Sequence, residues 1–224
     1  MKTACGTARA IRKKLGRLLR SERGSVSIEF VIIVPMMLLV MLGFTELYMY
    51  MRAASAVDRT AFTLANSIGQ MSTVIADATD TTDANSYGSL WQDAALLAAP
   101  YQIKANGMVY VTSVCDTPTS GTCKLMNASS NLMSPGTAGM LWTASTSAWA
   151  NSKNSLMTSR VSSTNPLPST WPFRIGDSAI VVEVFLAYNP FTMTSKLMSG
   201  MPGEQILYRR VYVRPRSGQP LTKQ

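Results

Sequence analysis

Glu29 is the only charge in the stretch from Ser25 to Phe44, SVSIEFVIIVPMMLLVMLGF. An ionisable group at the centre of a membrane helix costs ~2.5–3.5 kcal/mol, so by default it marks a functional contact with a partner. Near the end of the apolar run the cost is smaller, and a second reading stands there: an interfacial acid snorkelling toward Arg23. The neighbours favour the first. The chain reads Arg23-Gly24-Ser25-Val26-Ser27-Ile28-Glu29-Phe30, with Pro35 a little further on. Gly24 offers a protease an extended backbone unencumbered by a side chain. A cut between Gly24 and Ser25 makes Glu29 the fifth residue of the product. It also creates an α-amino group, whose pKa is about 7.7–8.0 in peptides. Pro35 removes one backbone hydrogen bond, so a kink is expected there, functional or not.

Other chemistries are scarce. The 224 residues contain no histidine, which excludes a Ser-His-Asp or Cys-His triad, a histidine zinc site and a histidine acid–base pair. Three cysteines are too few for a four-thiolate metal site. No GxSxG, Ser/Thr-x-x-Lys, GxxxxGK or CxxC pattern is present. Asp77, Asp80, Asp83 and Asp93 could hide a carboxylate pair, but a solvated loop explains them more simply. No enzyme and no cofactor are expected.

The elements around Glu29 set its context. Residues 1–24 hold eight basic groups and one acid, net +7 of the chain's +9. The other 200 residues hold thirteen basic and eleven acidic groups, net +2. A basic flank before a helix of twenty apolar residues, about 30 Å long, matches a single bilayer span with its N-terminus in the cytoplasm. Eight cations at one end of a buried core helix would be hard to explain. A removable signal peptide fits less well. The apolar run exceeds the usual ~7–15 residues and carries an acid, and the A-x-A site at Ala54-Ser55-Ala56 lies far beyond Phe44. Cys5 follows Met-Lys-Thr-Ala rather than an apolar stretch, which argues against a lipid anchor.

The ordered set of basic leader, Gly24, Glu29, Phe30 and Pro35 resembles the type IV prepilin motif. Within that group it is similar to the TadE/TadF-like pseudopilins of the tight-adherence (Flp, type IVb) pilus system. The resemblance covers about 15 residues specifically and the remainder only in size and layout. It implies processing by a prepilin peptidase after Gly24, and a minor pilin needed for pilus assembly, adherence or biofilm formation. It implies that Glu29 pairs with a neighbouring subunit's N-terminal amine, neutralising a charge that is expensive in lipid. It implies as partners a major Flp-type pilin, a sibling pseudopilin, the peptidase and an inner-membrane assembly platform. An unprocessed single-pass envelope anchor is the alternative.

The organisation expected is a leader over 1–24, a transmembrane helix over 25–44 and an extracytoplasmic domain over 45–224, periplasmic in a Gram-negative cell. The fold class is α+β: a long N-terminal helix packed on a small antiparallel sheet of three or four strands. The helix should run from about Ser27 to Gln70, with Leu47, Met51, Ala54, Ala61, Ala65 and Ile68 on its apolar face and small residues for close packing. Residues 71–90 read as a loop. A short helix near Leu90–Ala99 should stop at Pro100, and Met108–Val114 reads as a strand. Cys115 and Cys123 bracket a Pro/Gly turn outside the cytoplasm. They are the only cysteines left once the leader is gone, so a disulfide across a hairpin tip is expected, with free thiols as the alternative. Asn127-Ala-Ser129 is a glycosylation sequon by pattern alone.

Leu141–Ala150 reads as a short helix, and Trp142, Trp149 and Trp171 as pins for long loops rather than a ligand platform. Ala179–Ala187 is the strongest strand, with Ile180, Val182, Val184 and Leu186 on one face and Glu183 and Phe185 on the other. Gln205–Val213 should lie beside it. There Tyr208, Arg210, Tyr212 and Arg214 share one face, solvated, with Glu183 pairing with an arginine. Interleaved Tyr and Arg can bind single-stranded nucleic acid. The strand is expected outside the cytoplasm, away from nucleic acid, and no such partner is expected. Residues 215–224 read as a polar tail.

Overall fold

The computed structural model describes residues 22–116, 122–123, 134–151, 154–197 and 199–224. Leader residues 1–21 and the sequon at 127–129 lie outside these. Helix α1 spans Glu22–Ile68, with Pro35 inside it. It is followed by β1 (Thr73–Val74), α2 (Tyr87–Leu97), a short α3 (Ile103–Asn106) and β2 (Gly107–Asp116). Then come β3 (Ala138–Ser145), β4 (Ser178–Tyr188), β5 (Gln205–Val213) and β6 (Thr222–Lys223). A long apolar helix followed by a small antiparallel sheet makes the chain α+β, as the pattern predicts.

Two compact units emerge. One is Met1–Tyr48 with Phe191–Met201, of which residues 22–48, 191–197 and 199–201 are described. The other is Met49–Pro190 with Pro202–Gln224.

In the second unit four antiparallel strands run in the order β3-β2-β4-β5. β4 is central and buried on both faces from Ser178 to Leu186, which is why it carries the densest apolar run. Its partners alternate by face. Val184, Val182 and Ile180 sit opposite Val109, Val111 and Ser113 of β2 and Arg209, Val211 and Val213 of β5. On this face the sheet shares one core with Ala53, Val57, Ala61, Leu64, Ala65 and Ile68 of α1. Those positions recur at the three-and-four spacing of a helix stripe. Of the expected stripe Ala61, Ala65 and Ile68 are buried and Ala54 packs against the core, whereas Leu47 and Met51 are exposed; Ala53, Val57 and Leu64 complete the buried face. Asp58 stays at the surface, where its carboxylate meets Arg209 at 3.2 Å.

The opposite face of the sheet is covered by the segment between β3 and β4. Val161 packs with Val114, Ala179 and Val181, the Tyr110 hydroxyl donates to Met157 O at 2.9 Å, and Trp171 lies against Tyr212. Glu183 therefore does not face solvent as expected. It is fully buried and accepts from the Tyr208 hydroxyl at 2.7 Å, from Arg210 Nε and Nη2 at 3.1 and 2.9 Å, and from Arg160 N at 3.1 Å. The arginine partner was legible; the burial was not, because the covering loop is remote in sequence. Burial, and then the Glu183 carboxylate, hold the Tyr208 phenol well above its ordinary range.

Three more expectations are corrected. Leu141–Ser145 is strand, not helix. β3 pairs with β2 from Tyr110↔Ser145 to Asp116↔Ala138, with a bulge where Leu141 has no partner. Its Trp and Thr fit a pleated surface better than a helix. Residues 71–90 are not all loop, and the polar tail is not free. β1 and β6 pair in parallel, and Leu221 is fully buried. The Leu221 carbonyl accepts from the Ser113 hydroxyl and from Trp142 Nε1 at 3.1 and 2.9 Å. The disulfide Cys115–Cys123 is formed, with Cα atoms 5.8 Å apart. Among the described residues the strand returning to β2 is β3, which begins at Ala138. Trp149 pins its loop as predicted and sits in the core, whereas Trp142 lies on β3 itself and packs against that core.

Candidate functional site

Among the described residues one helix is long and apolar enough to cross a membrane. Its best eighteen-residue window within Ser27–Ile68 has a mean hydropathy of 2.4, and none of that window is buried. Phe30 is 67% exposed, Phe44 69%, and Ile28, Val31, Ile32, Ile33, Met36 and Met41 are all largely exposed. A helix satisfies its own backbone hydrogen bonds, so such a segment is compatible with lipid. So much apolar surface is not left in water by soluble monomers; it marks a membrane or protein contact. The apolar helix fits a membrane anchor.

The sequence-predicted residues at this end lie on one element. Gly24 and Ser25 are in the first turn of α1, which starts at Glu22 rather than near Ser27. The extended backbone expected at Gly24 is therefore not what the structure has. The first four N–H groups of a helix have no partner within it, and glycine disfavours the helix by about 1 kcal/mol relative to alanine. Opening this turn is thus cheap. Glu29 is exposed one helical turn beyond Ser25, Phe30 follows it, and Pro35 is exposed within the helix. Cys115 and Cys123 belong to the other unit.

A second acid was missed by sequence reasoning. Glu46 is 3% exposed. Its carboxylate accepts the backbone N–H of Met193 at 2.6 Å, that of Thr194 at 3.2 Å, and the Thr194 hydroxyl. These donors come from the start of a short 3-10 turn, Thr194–Lys196, and from Met193 just before it, and both partners belong to the first unit. The signal was available: from Val26 to Met51 the only charges are Glu29 and Glu46. Seventeen helical residues separate them, a rise of about 25 Å. The two carboxylates thus bracket the most apolar part of α1.

The globular unit offers little reactive chemistry. Among the described residues no three His, Cys, Asp or Glu side chains gather as a metal site. Asp77 is committed to its own turn. The Thr79 hydroxyl and the backbone N–H groups of Thr79 and Asp80 donate to it and hold its carboxyl below the ordinary range.

The family of TadE-like proteins matches the chain at residues 24–65. No curated protein and no solved structure matches it.

Proposed function

We propose that the chain is a minor pilin or pseudopilin acting in assembly of a Flp-type tight-adherence pilus. The observation that carries this reading is the TadE-like match itself, which begins at Gly24 and takes in Glu29, the exposed apolar helix and its continuation to residue 65. In this reading residues 1–24 are a cytoplasmic leader, 25–44 cross the inner membrane and 45–224 form the extracytoplasmic domain. A prepilin peptidase cuts between Gly24 and Ser25 after the first turn of α1 unwinds. Glu29 then pairs with the amine of a neighbouring subunit, which favours leaving the bilayer for the assembly. The role of Glu29 is recognition, and the chain needs no cofactor. Its partners are the major pilin, a sibling pseudopilin, the peptidase and the membrane platform.

The experiment is the N-terminus of the membrane-extracted protein, by intact mass and terminal sequencing. Ser25 as first residue is the expected result. Met1 in a host with an active prepilin peptidase would make the chain an unprocessed anchor. Gly24→Leu should block maturation, and normal maturation of that variant would overturn the motif reading. Glu29→Ala should be cut normally yet lose piliation; unchanged piliation would remove the role given to Glu29.

A further inference from the structure

Between Pro190 and Gly203 the chain reads PFTMTSKLMSGMPG, with Lys196 as its only charge. Met193 is 52% exposed and Leu197 63%. Nothing in pilus assembly as read above requires an apolar loop at this place, nor a buried carboxylate to hold it. Yet Glu46 is 3% exposed there, and a carboxylate shielded from water needs donors to replace its lost hydration. The Met193 and Thr194 N–H groups and the Thr194 hydroxyl supply them. The loop is thereby tied to the end of the apolar run of α1. On that helix Phe44, Leu47 and Tyr48 are exposed beside Glu46 in sequence, and all belong to the same unit as the loop.

We propose that residues 191–197 and 199–201 form an interfacial foot, seated on the outer headgroup–acyl boundary of the bilayer and clamped to the transmembrane helix by Glu46. The occupant of this surface is lipid. The loop's exposed apolar side chains continue the lipid-facing surface of α1. Tyr48 has the amphipathic ring that collects at membrane interfaces. Lys196 can lay its stem along the acyl boundary and keep its ammonium among headgroup phosphates. Amphipathic helices at this boundary bury their apolar face ~5–10 Å deep, and the foot is expected at that depth. The inference rests on α1 spanning the membrane, so its test carries a separate control for that.

The test uses the full chain with Cys5→Ser, reconstituted in phosphatidylcholine–phosphatidylglycerol vesicles. An environment-sensitive fluorophore is placed at Leu197→Cys, at Met36→Cys for the span, and at Leu156→Cys for the globular unit. Lipids spin-labelled near the headgroup or deep in the acyl chain serve as quenchers. The Leu197 label should be quenched at least about twofold more by the shallow quencher than by the deep one, as an interfacial depth requires. The Leu156 label should be unquenched. Adding Glu46→Ala should abolish most of the quenching at Leu197 and leave Met36 unchanged. A water-like, unquenched Leu197 label with a quenched Met36 label overturns the foot. A blue-shifted Leu197 label that no lipid quenches means protein covers the loop, and overturns the lipid occupant. Quenching indifferent to Glu46→Ala overturns the clamp. An unquenched Met36 label would overturn the spanning helix itself.

Discussion

Glu183→Ala should cost the fold about 3–5 kcal/mol, the range for removing one partner of a buried ion pair. The carboxylate has no exposure, and its Oε1 takes both Arg210 contacts, the Tyr208 hydroxyl and Arg160 N. Its Oε2 takes the Ser159 hydroxyl. Truncation strands a guanidinium and three neutral donors. Each orphaned neutral donor costs ~1–3 kcal/mol, though not additively within one network. Arg210 softens the loss, because its side chain is 22% exposed and can recover some water. In a chain of this size each kcal/mol shifts Tm by ~2–4 °C, so a fall of about 6–20 °C is expected. Near-UV circular dichroism of the micelle-bound protein measures it. Asp58→Ala is the internal control. Its partner Arg209 lies at 3.2 Å, but both side chains are 56% exposed, and such pairs contribute ~0–1 kcal/mol. A Tm fall for Glu183→Ala no larger than that for Asp58→Ala would refute the buried network as a determinant of stability. The double variant Glu183→Ala/Arg210→Ala should lose clearly less than the two single losses combined.

Breaking the disulfide with Cys115→Ser should remove about 2–3 kcal/mol, the loop-closure term for so short a segment; resistance of Cys115 and Cys123 to alkylation without reductant, and labelling after it, checks the bond. Gly88→Ala should destabilise although alanine is the better helix former, because a Cβ at residue 88 would lie 2.1 Å from the Asp80 carbonyl oxygen. A loss of about 1–3 kcal/mol in urea unfolding is expected. Burial pushes the Tyr87 phenol up to about 12, and its hydroxyl has no hydrogen-bond partner among the described residues. The fold therefore favours the neutral phenol. That stability is complete below about pH 10 and is lost as pH rises through the folded value. Tyr87→Phe should be neutral or slightly stabilising at pH 7 and should flatten the alkaline loss, read from urea midpoints across the range.

What was legible in the sequence was what neighbours along the chain decide. The apolar run of α1, the β-branched run of β4, the alternation of Tyr and Arg in β5 and the spacing of two cysteines are local patterns; β4 and β5 formed within a residue of where those patterns placed them, and α1 begins about a turn earlier. The misses came from distant partners. Leu141–Ser145 became strand because β2 offers it a ladder. Glu183 lost its solvent because residues 159–161 fold over it. The tail acquired a place because Ser113 and Trp142 capture the Leu221 carbonyl. At the candidate site the same division holds. Glu29 was conspicuous as a lone charge in an apolar run, whereas the partners of Glu46 lie almost 150 residues away.

The way α1 enters the core sets a clock on folding. Val57, Leu64 and Ile68 are synthesised first, yet they share their core with Ile180, Val182 and Val184 of β4. Roughly 110 residues separate the end of α1 from the start of β4. At ~5–20 residues per second the ribosome needs about 5–20 s to cover that distance. Until then the apolar stripe of the nascent helix can meet, of the sheet, only β2, through Val109 and Val111, and the β3 strand paired with it. The core closes only when roughly the last fifth of the chain, from Ser178 onward, supplies β4 and β5.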